Sequence, residues 1–143
     1  MDLRMTNAER MAFLVDGARV GVLSIEAPDR GPVSSPIWYT VESDRAVAFS
    51  VGATSQKAQL LRAAGRATLC VQSETAPYSY VSLEGAIAER APSSDDFRRE
   101  MAHRYLGTEF GEAYFDSTRD EASVTFTLQP QRWASVDYSK AFA

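Results

Sequence analysis

Phe49-Ser50-Val51-Gly52-Ala53-Thr54-Ser55-Gln56-Lys57-Ala58-Gln59-Leu60-Leu61-Arg62 reads as the end of a strand, a turn of small residues and the opening of a helix. Thr54 and Ser55 stand where that helix starts, and Lys57 falls in its first turn. A helix start gathers free backbone N–H groups and the positive end of the dipole, so it favours an anion, a phosphate above all. The same residues also suit a plainer role, Thr54 and Ser55 as helix caps and Lys57 as a solvated side chain. The helix runs to about Ala64, and Gly65 ends it as a C-terminal cap.

On either side the chain reads mainly as strands. Arg19 to Glu26 alternates and is rich in Val, Leu and Ile, Ala27 to Pro32 is a turn, and Val33 to Glu42 returns. Pro36 cannot donate to a ladder, so it marks an edge or a bulge. Ser43-Asp44-Arg45 turns into a strand over Ala46 to Val51, and Ala67 to Gln72 is a continuously apolar strand beyond the helix. Tyr78 to Glu89 is a long alternating strand, with Tyr78, Tyr80, Ser82 and Glu84 on one face and Val81 and Leu83 on the other. Ala122 to Gln129 and Arg132 to Asp137 read as two closing strands.

Helices are inserted among them. Thr6-Asn7-Ala8-Glu9 has the form of a capping box before apolar Met11, Phe13 and Leu14. Ser93-Ser94-Asp95-Asp96 opens a helix to about Leu106, and a shorter one covers Glu109 to Ser117. The whole is a mainly β chain with about six or seven antiparallel strands joined mostly by short turns, and a chain this short hides its edges most easily by closing as a barrel.

Length and composition narrow the function. At 143 residues the chain fits one domain, 1–143, with a real core. A net charge of −4 weighs against nucleic acid as a main partner, since phosphate backbones call for a basic surface. No apolar run approaches the roughly 20 residues of a membrane span. The start Met1-Asp2-Leu3-Arg4-Met5-Thr6 lacks the charged-then-apolar pattern of a leader, so a cytoplasmic location is expected. The single cysteine, Cys70, excludes an internal disulfide and reads as a buried, inert thiol. The single histidine, His103, has no partner at metal-ligand spacing and takes a surface or packing role, so no metal is expected. Gly107-Thr108-Glu109-Phe110-Gly111 lacks the Gly-Lys-Ser/Thr ending of a phosphate loop. Trp38, Tyr39, Tyr78, Tyr80 and Trp133 fall on strands, where they either fill the core or wall a flat heteroaromatic ligand.

Taken in order, Ser35-Pro36-Ile37-Trp38-Tyr39, Phe49-Ser50-Val51 to Ser55-Gln56-Lys57, Leu61-Arg62 with Arg66, and Pro77-Tyr78-Ser79-Tyr80-Val81-Ser82-Leu83-Glu84-Gly85 resemble the pyridoxamine 5′-phosphate oxidase-like split β-barrel family. The ending Pro130-Gln131-Arg132-Trp133 with Asp137-Tyr138-Ser139-Lys140 is similar to its small flavin and deazaflavin oxidoreductases. The resemblance implies a homodimer with two sites at the subunit interface, binding coenzyme F420 or FMN beside a small-molecule substrate. It implies that Ser55 and Lys57, assisted by Thr54, hold the cofactor phosphate, and that Pro36, Trp38, Ser50 and Val51 border the ring. Tyr78, Tyr80 and Trp133 fall to the substrate side, with Tyr78 or Tyr80 a proton donor. The expected activity is hydride transfer from reduced F420 to a small unsaturated organic molecule. The alternatives are an FMN oxidoreductase and a non-catalytic ligand-binding barrel. The chain departs from the family at Gln56, where arginine is usual, at Leu60, where asparagine is frequent, and at Ala63-Ala64-Gly65, which replaces an Arg-Asp-Pro run. It also ends without the Arg-x-His substrate motif of a true pyridoxamine phosphate oxidase.

Overall fold

Strand alternation sets the sheet, and the computed structural model describes it over residues 1–143. The elements are α1 (Asn7–Val15), β1 (Gly21–Ile25), β2 (Val33–Ile37), β3 (Thr40–Val41), β4 (Val47–Gly52), α2 (Gln56–Ala64), β5 (Arg66–Gln72), β6 (Ser79–Pro92), α3 (Asp95–Thr118) and β7 (Ser123–Asp137), with a 3-10 turn at Tyr138–Phe142. All seven strands form one antiparallel sheet in the order β2-β1-β5-β6-β7-β4-β3. The fold is the mainly β split barrel that the strand pattern and the resemblance led one to expect.

The inward faces of β1, β5 and β6 (Leu23, Leu69, Leu83) share one core with those of β4 and β7 (Phe49, Phe126, Leu128). Helices close it: Leu14 of α1 and Ala58 and Leu61 of α2 are fully buried. Burying a Leu-sized side chain contributes about 1.5–3 kcal/mol, so these helices are held chiefly by the faces they bury. Tyr39 is also fully buried, and its hydroxyl donates to the Leu14 carbonyl at 2.7 Å.

Three readings need correction. The strand expected over Val33 to Glu42 is broken at Trp38-Tyr39 into β2 and β3, which lie at opposite edges of the sheet, so neither aromatic residue is on a strand. The strands expected over Ala122 to Gln129 and Arg132 to Asp137 are one, β7, which runs through Pro130. The register against β6 shifts between Glu84 and Gly85, where Glu84 faces Arg132 and Gly85 faces Pro130. Gln131 is the extra residue of this bulge, and a strand tolerates proline beside such an irregularity. Cys70 is exposed, not buried. The run Thr68-Leu69-Cys70-Val71 looks uniformly apolar, but β5 alternates strictly, with Ala67, Leu69 and Val71 inward and Cys70 on the outward phase.

The local signals at helix ends held. Thr6 caps α1 in a reciprocal box with Glu9, Ser55 caps α2, Gly65 ends α2 in the left-handed conformation at φ 68°, and Pro36 lies on the edge strand β2. Glu9 also receives the Lys140 ammonium at 2.9 Å, which ties α1 to the C-terminal turn. The Thr6 backbone N–H, then Lys140, hold the Glu9 carboxyl down at about 2, against an ordinary 4.5. A depressed carboxylate stabilises the fold above its unfolded value and loses that contribution as pH falls through its folded one. Thermal melts of wild type and Glu9→Gln are therefore expected to differ near neutrality and to converge as pH falls from 4.5 towards about 2. A gap unchanged at low pH would contradict this role of the charge.

Candidate functional site

A cavity of about 340 Å³ lies between the outer face of β4 and β7, the end of β2, the first turn of α2 and the helix α3. Small-molecule sites span roughly 300–1,000 Å³, so this one is at the small end. The strand positions follow from register. Ser50 pairs with Thr125 and Gly52 with Ser123, so these residues share the face opposite inward Val51, Val124, Phe49 and Phe126. That face would be open to water but for α3.

Chain geometry at α3 explains the cover. Gly107 interrupts the helix at φ 80°, ψ 175°, and the chain reverses there, so 95–106 and 108–118 form a hairpin. A β-carbon on Gly111 would lie 2.8 Å from the Ala102 carbonyl oxygen and from the His103 backbone, which shows how closely the two arms touch. His103 Nε2 and Glu112 Oε2 meet at 2.7 Å across the arms, and Arg99 reaches the same carboxylate at 3.2 Å. The His103 contact, first, holds the Glu112 carboxyl below its ordinary range. His103 thus has the packing role expected of it. Phe115 lies under the guanidinium groups of Arg99 and Arg119, at 4.4 and 5.0 Å from its ring centre. Arg98 lines the cavity and gives two of its five N–H donors to the Thr118 and Arg119 carbonyls at the end of the second arm.

Five of the seven expected cofactor residues line this cavity: Pro36, Trp38, Ser50, Val51 and Lys57. Lys57 is half-buried and makes no ion pair, and burial pushes its ammonium below the ordinary lysine value. Trp38 stacks on Tyr105, with ring centres 5.0 Å apart and planes 4° from parallel, and meets Tyr114 edge-on at 5.5 Å. The Tyr105 hydroxyl accepts from the Tyr39 backbone N–H and donates to the Arg19 carbonyl at 2.8 Å, so it fastens the hairpin to the segment after β2.

Thr54 and Ser55 are not among the lining residues. The Ser55 hydroxyl donates to the Gly52 carbonyl at 2.8 Å and accepts the Ala58 N–H at 3.1 Å, the capping geometry of the plainer reading. Tyr78, Tyr80 and Trp133 also lie away from the cavity of their own chain. Tyr78 borders a separate apolar cleft with Pro77, Tyr138 and Phe142, Tyr80 pairs with Gln72 and Val136, and Trp133 lies under the Arg10 guanidinium at 4.9 Å.

Sequence reasoning missed the contribution of α3, namely Arg98, Met101, Tyr114, Phe115 and Thr118, and also missed Ser123. The apolar positions Met101 and Phe115 signalled a buried helix face, but which face they meet depends on the reversal at Gly107. The Ser123 hydroxyl is buried in the cavity wall with no hydrogen-bond partner. A buried hydroxyl left unpaired is unfavourable, so the polar part of this wall suits a ligand that completes it. No lining residue is a cysteine or histidine, and no group of three or more His, Cys, Asp or Glu side chains converges on a metal position. The cavity therefore joins apolar and aromatic walls with the unpaired Lys57 ammonium, the Arg98 guanidinium, the Glu121 carboxylate and the Ser123 hydroxyl, a set that fits a flat heteroaromatic ring with a polar edge and an anionic tail.

Known structures share this architecture. A conserved hypothetical protein of Mycobacterium tuberculosis matches with a TM-score of 0.79 and 26% identity, over 99% of this chain and 91% of its own. A structure named F420 reductase matches at 0.66 and 18%, over 86% of this chain and 94% of its own. A FAD-binding protein of Mesorhizobium loti matches at 0.65 and 18%, over 92% of each chain. No protein of curated function matches the sequence. The family profile described as pyridoxamine 5′-phosphate oxidase matches residues 8–137, nearly the full length, and the chain is a member of that family of split barrels.

Proposed function

We propose that this protein is an oxidoreductase that binds coenzyme F420 in the α3-covered cavity and reduces a small unsaturated organic molecule. The observation that carries this reading is Lys57, a half-buried ammonium without a carboxylate partner, facing a cavity with apolar walls and an unpaired Ser123 hydroxyl. Removing a cation from water without pairing it is unfavourable, and an anionic ligand reverses that imbalance. Lys57 holds the cofactor phosphate, Pro36 and Val51 border the ring, and Ser50 meets its polar edge. Trp38, Met101 and Phe115 keep water from the reacting face. Reduced F420, when bound, supplies the hydride, so the chain needs no nucleophile of its own. The F420 reductase and the FAD-binding protein that share the fold support a ring cofactor of this kind.

A second copy of the chain is part of the proposal. Tyr78, Tyr80 and Trp133 do not reach the cavity of their own chain, so they act on the substrate side only if a partner brings them there. Sedimentation should show a dimer, and a monomer that binds cofactor would remove those three residues from the site.

Titration with F420 and with FMN, followed by absorbance, tests the cofactor. Bound deazaflavin gives one main violet band, and bound FMN gives two bands. F420 is expected to bind more tightly. Preference for FMN would replace the deazaflavin by the flavin, and binding of neither would overturn the reading.

A further inference from the structure

Beneath the cavity three side-chain hydroxyls form a chain. Ser50 Oγ lies 2.8 Å from Ser93 Oγ, and Ser93 Oγ lies 2.8 Å from Thr125 Oγ1. Ser50 lines the cavity, Ser93 sits just before the α3 cap Ser94, and Thr125 is 6% exposed with Ser93 as the sole side-chain partner of its hydroxyl. Each hydroxyl has one hydrogen to give and two lone pairs to accept with, so the contacts allow three arrangements: inward, outward, or with Ser50 and Thr125 both donating to Ser93.

The three arrangements are not equivalent. Run inward, from Ser50 through Ser93 to Thr125, the chain leaves the Thr125 hydrogen buried with nothing to accept it. Run outward, from Thr125 through Ser93 to Ser50, every buried hydrogen is used and the free one belongs to Ser50, at the cavity. With Ser50 and Thr125 both donating to Ser93, the Ser93 hydrogen has no acceptor in the protein. Only the outward sense lets all three hydrogens be used once a ligand acceptor meets Ser50, so the outward sense prevails. We infer that Ser93 and Thr125 are positioning residues that fix the Ser50 hydroxyl as a donor into the cavity, so that the ligand edge lying against β4 and β7 must present an acceptor.

This inference rests on the reading of the cavity as a cofactor site, and it adds which edge of the ring enters. Flavins and deazaflavins both carry a dicarbonyl edge, which meets the demand of Ser50. The buried Ser123 hydroxyl lies two residues before Thr125 on the same face of β7. No titratable group follows Thr125 in the chain of contacts, so the hydroxyls set direction and conduct no proton.

Wild type, Ser50→Ala, Ser93→Ala, Ser93→Thr and the Ser50→Ala/Ser93→Ala double variant should be titrated with FMN and with F420, with the visible band of the bound cofactor recorded alongside thermal melts. Ser50→Ala and Ser93→Ala are each expected to weaken binding about three- to tenfold, the worth of one neutral hydrogen bond, and to shift the band in the same direction. The double variant should bind no more weakly than Ser50→Ala alone, because Ser93 acts through Ser50. Ser93→Thr, which keeps the hydroxyl, should restore affinity and band. Wild-type affinity and band in Ser93→Ala, or additive losses in the double variant, would overturn the inference and leave the cofactor reading standing. Failure of the wild type to bind either cofactor would overturn both.

Discussion

Lys57→Ala is expected to weaken binding of the cofactor by roughly 1.5–3 kcal/mol, about one to two decades of affinity, the range for a hydrogen bond to a charged group. The fold should not suffer. Lys57 has no ion pair, and burial disfavours its charged form, so removing it relieves a half-desolvated ammonium. Loss of affinity with an unchanged or slightly raised melting temperature separates a site effect from damage to α2. The pH dependence adds a second readout. A phosphate binds the charged lysine, so wild-type affinity should fall as pH rises through the Lys57 value, which lies below the ordinary 10.5. Lys57→Ala should lack that step. Gln56, the neighbour that stands where the resemblance leads one to expect arginine, is exposed and adds no charge, so in the proposed site Lys57 would carry more of the phosphate than it would beside a second cation. Unchanged affinity in Lys57→Ala would sink the assignment.

The second large effect is expected far from the cavity. A β-carbon on Gly85 would lie 1.7 Å from the Gln129 carbonyl oxygen and 2.8 Å from its carbon. Both are backbone atoms of the partner strand, held by the β6–β7 ladder on either side of the bulge, so no side chain can swing away. Gly85→Ala forces the two longest strands apart at the point where they bend. The cost should reach at least the upper end of overpacking, about 3 kcal/mol, and lower the melting temperature by on the order of 10 °C. Gly31→Ala is the control: nothing lies within 4 Å of a β-carbon there, and its melt should match wild type. A Gly85→Ala protein that melts with wild type would mean that the bulge yields more easily than its close contact implies.

Local chemistry made most of the fold legible. Thr6 with Glu9, Ser55, Gly65 and Pro36 each act within a few residues of themselves, and each lies where its type requires. The errors fell where the outcome depends on distant partners. Pro130 looked like a break between strands because its accommodation depends on Gly85, some forty-five residues earlier in the chain. Cys70 looked buried because a short apolar run does not reveal the phase of its alternation. At the site, Pro36, Trp38, Ser50, Val51 and Lys57 were singled out by the order of the family's segments, and all five line the cavity. The α3 wall was hidden because Gly107 folds two weakly patterned helices back on each other, and only that reversal brings Arg98 near Thr118 and Met101 over the strand face. The tyrosines illustrate the converse. Tyr78 and Tyr80 occupied the expected strand region, yet their own chain gives them no place in the cavity.

The α3 hairpin is the connection between β6 and β7, strands that pair from Ser79 with Asp137 to Pro92 with Val124. Their ladder closes at Pro92 and Val124 whatever the connecting segment contains. The hairpin is thus a module with two endpoints fixed in space and an interior tied to the barrel at Tyr105. Over evolutionary time a lineage can lengthen, shorten or rewrite it and so exchange the wall that meets incoming molecules, while the hydroxyl-bearing strands and Lys57 stay in place. Diversification of chemical preference without loss of the scaffold is the consequence.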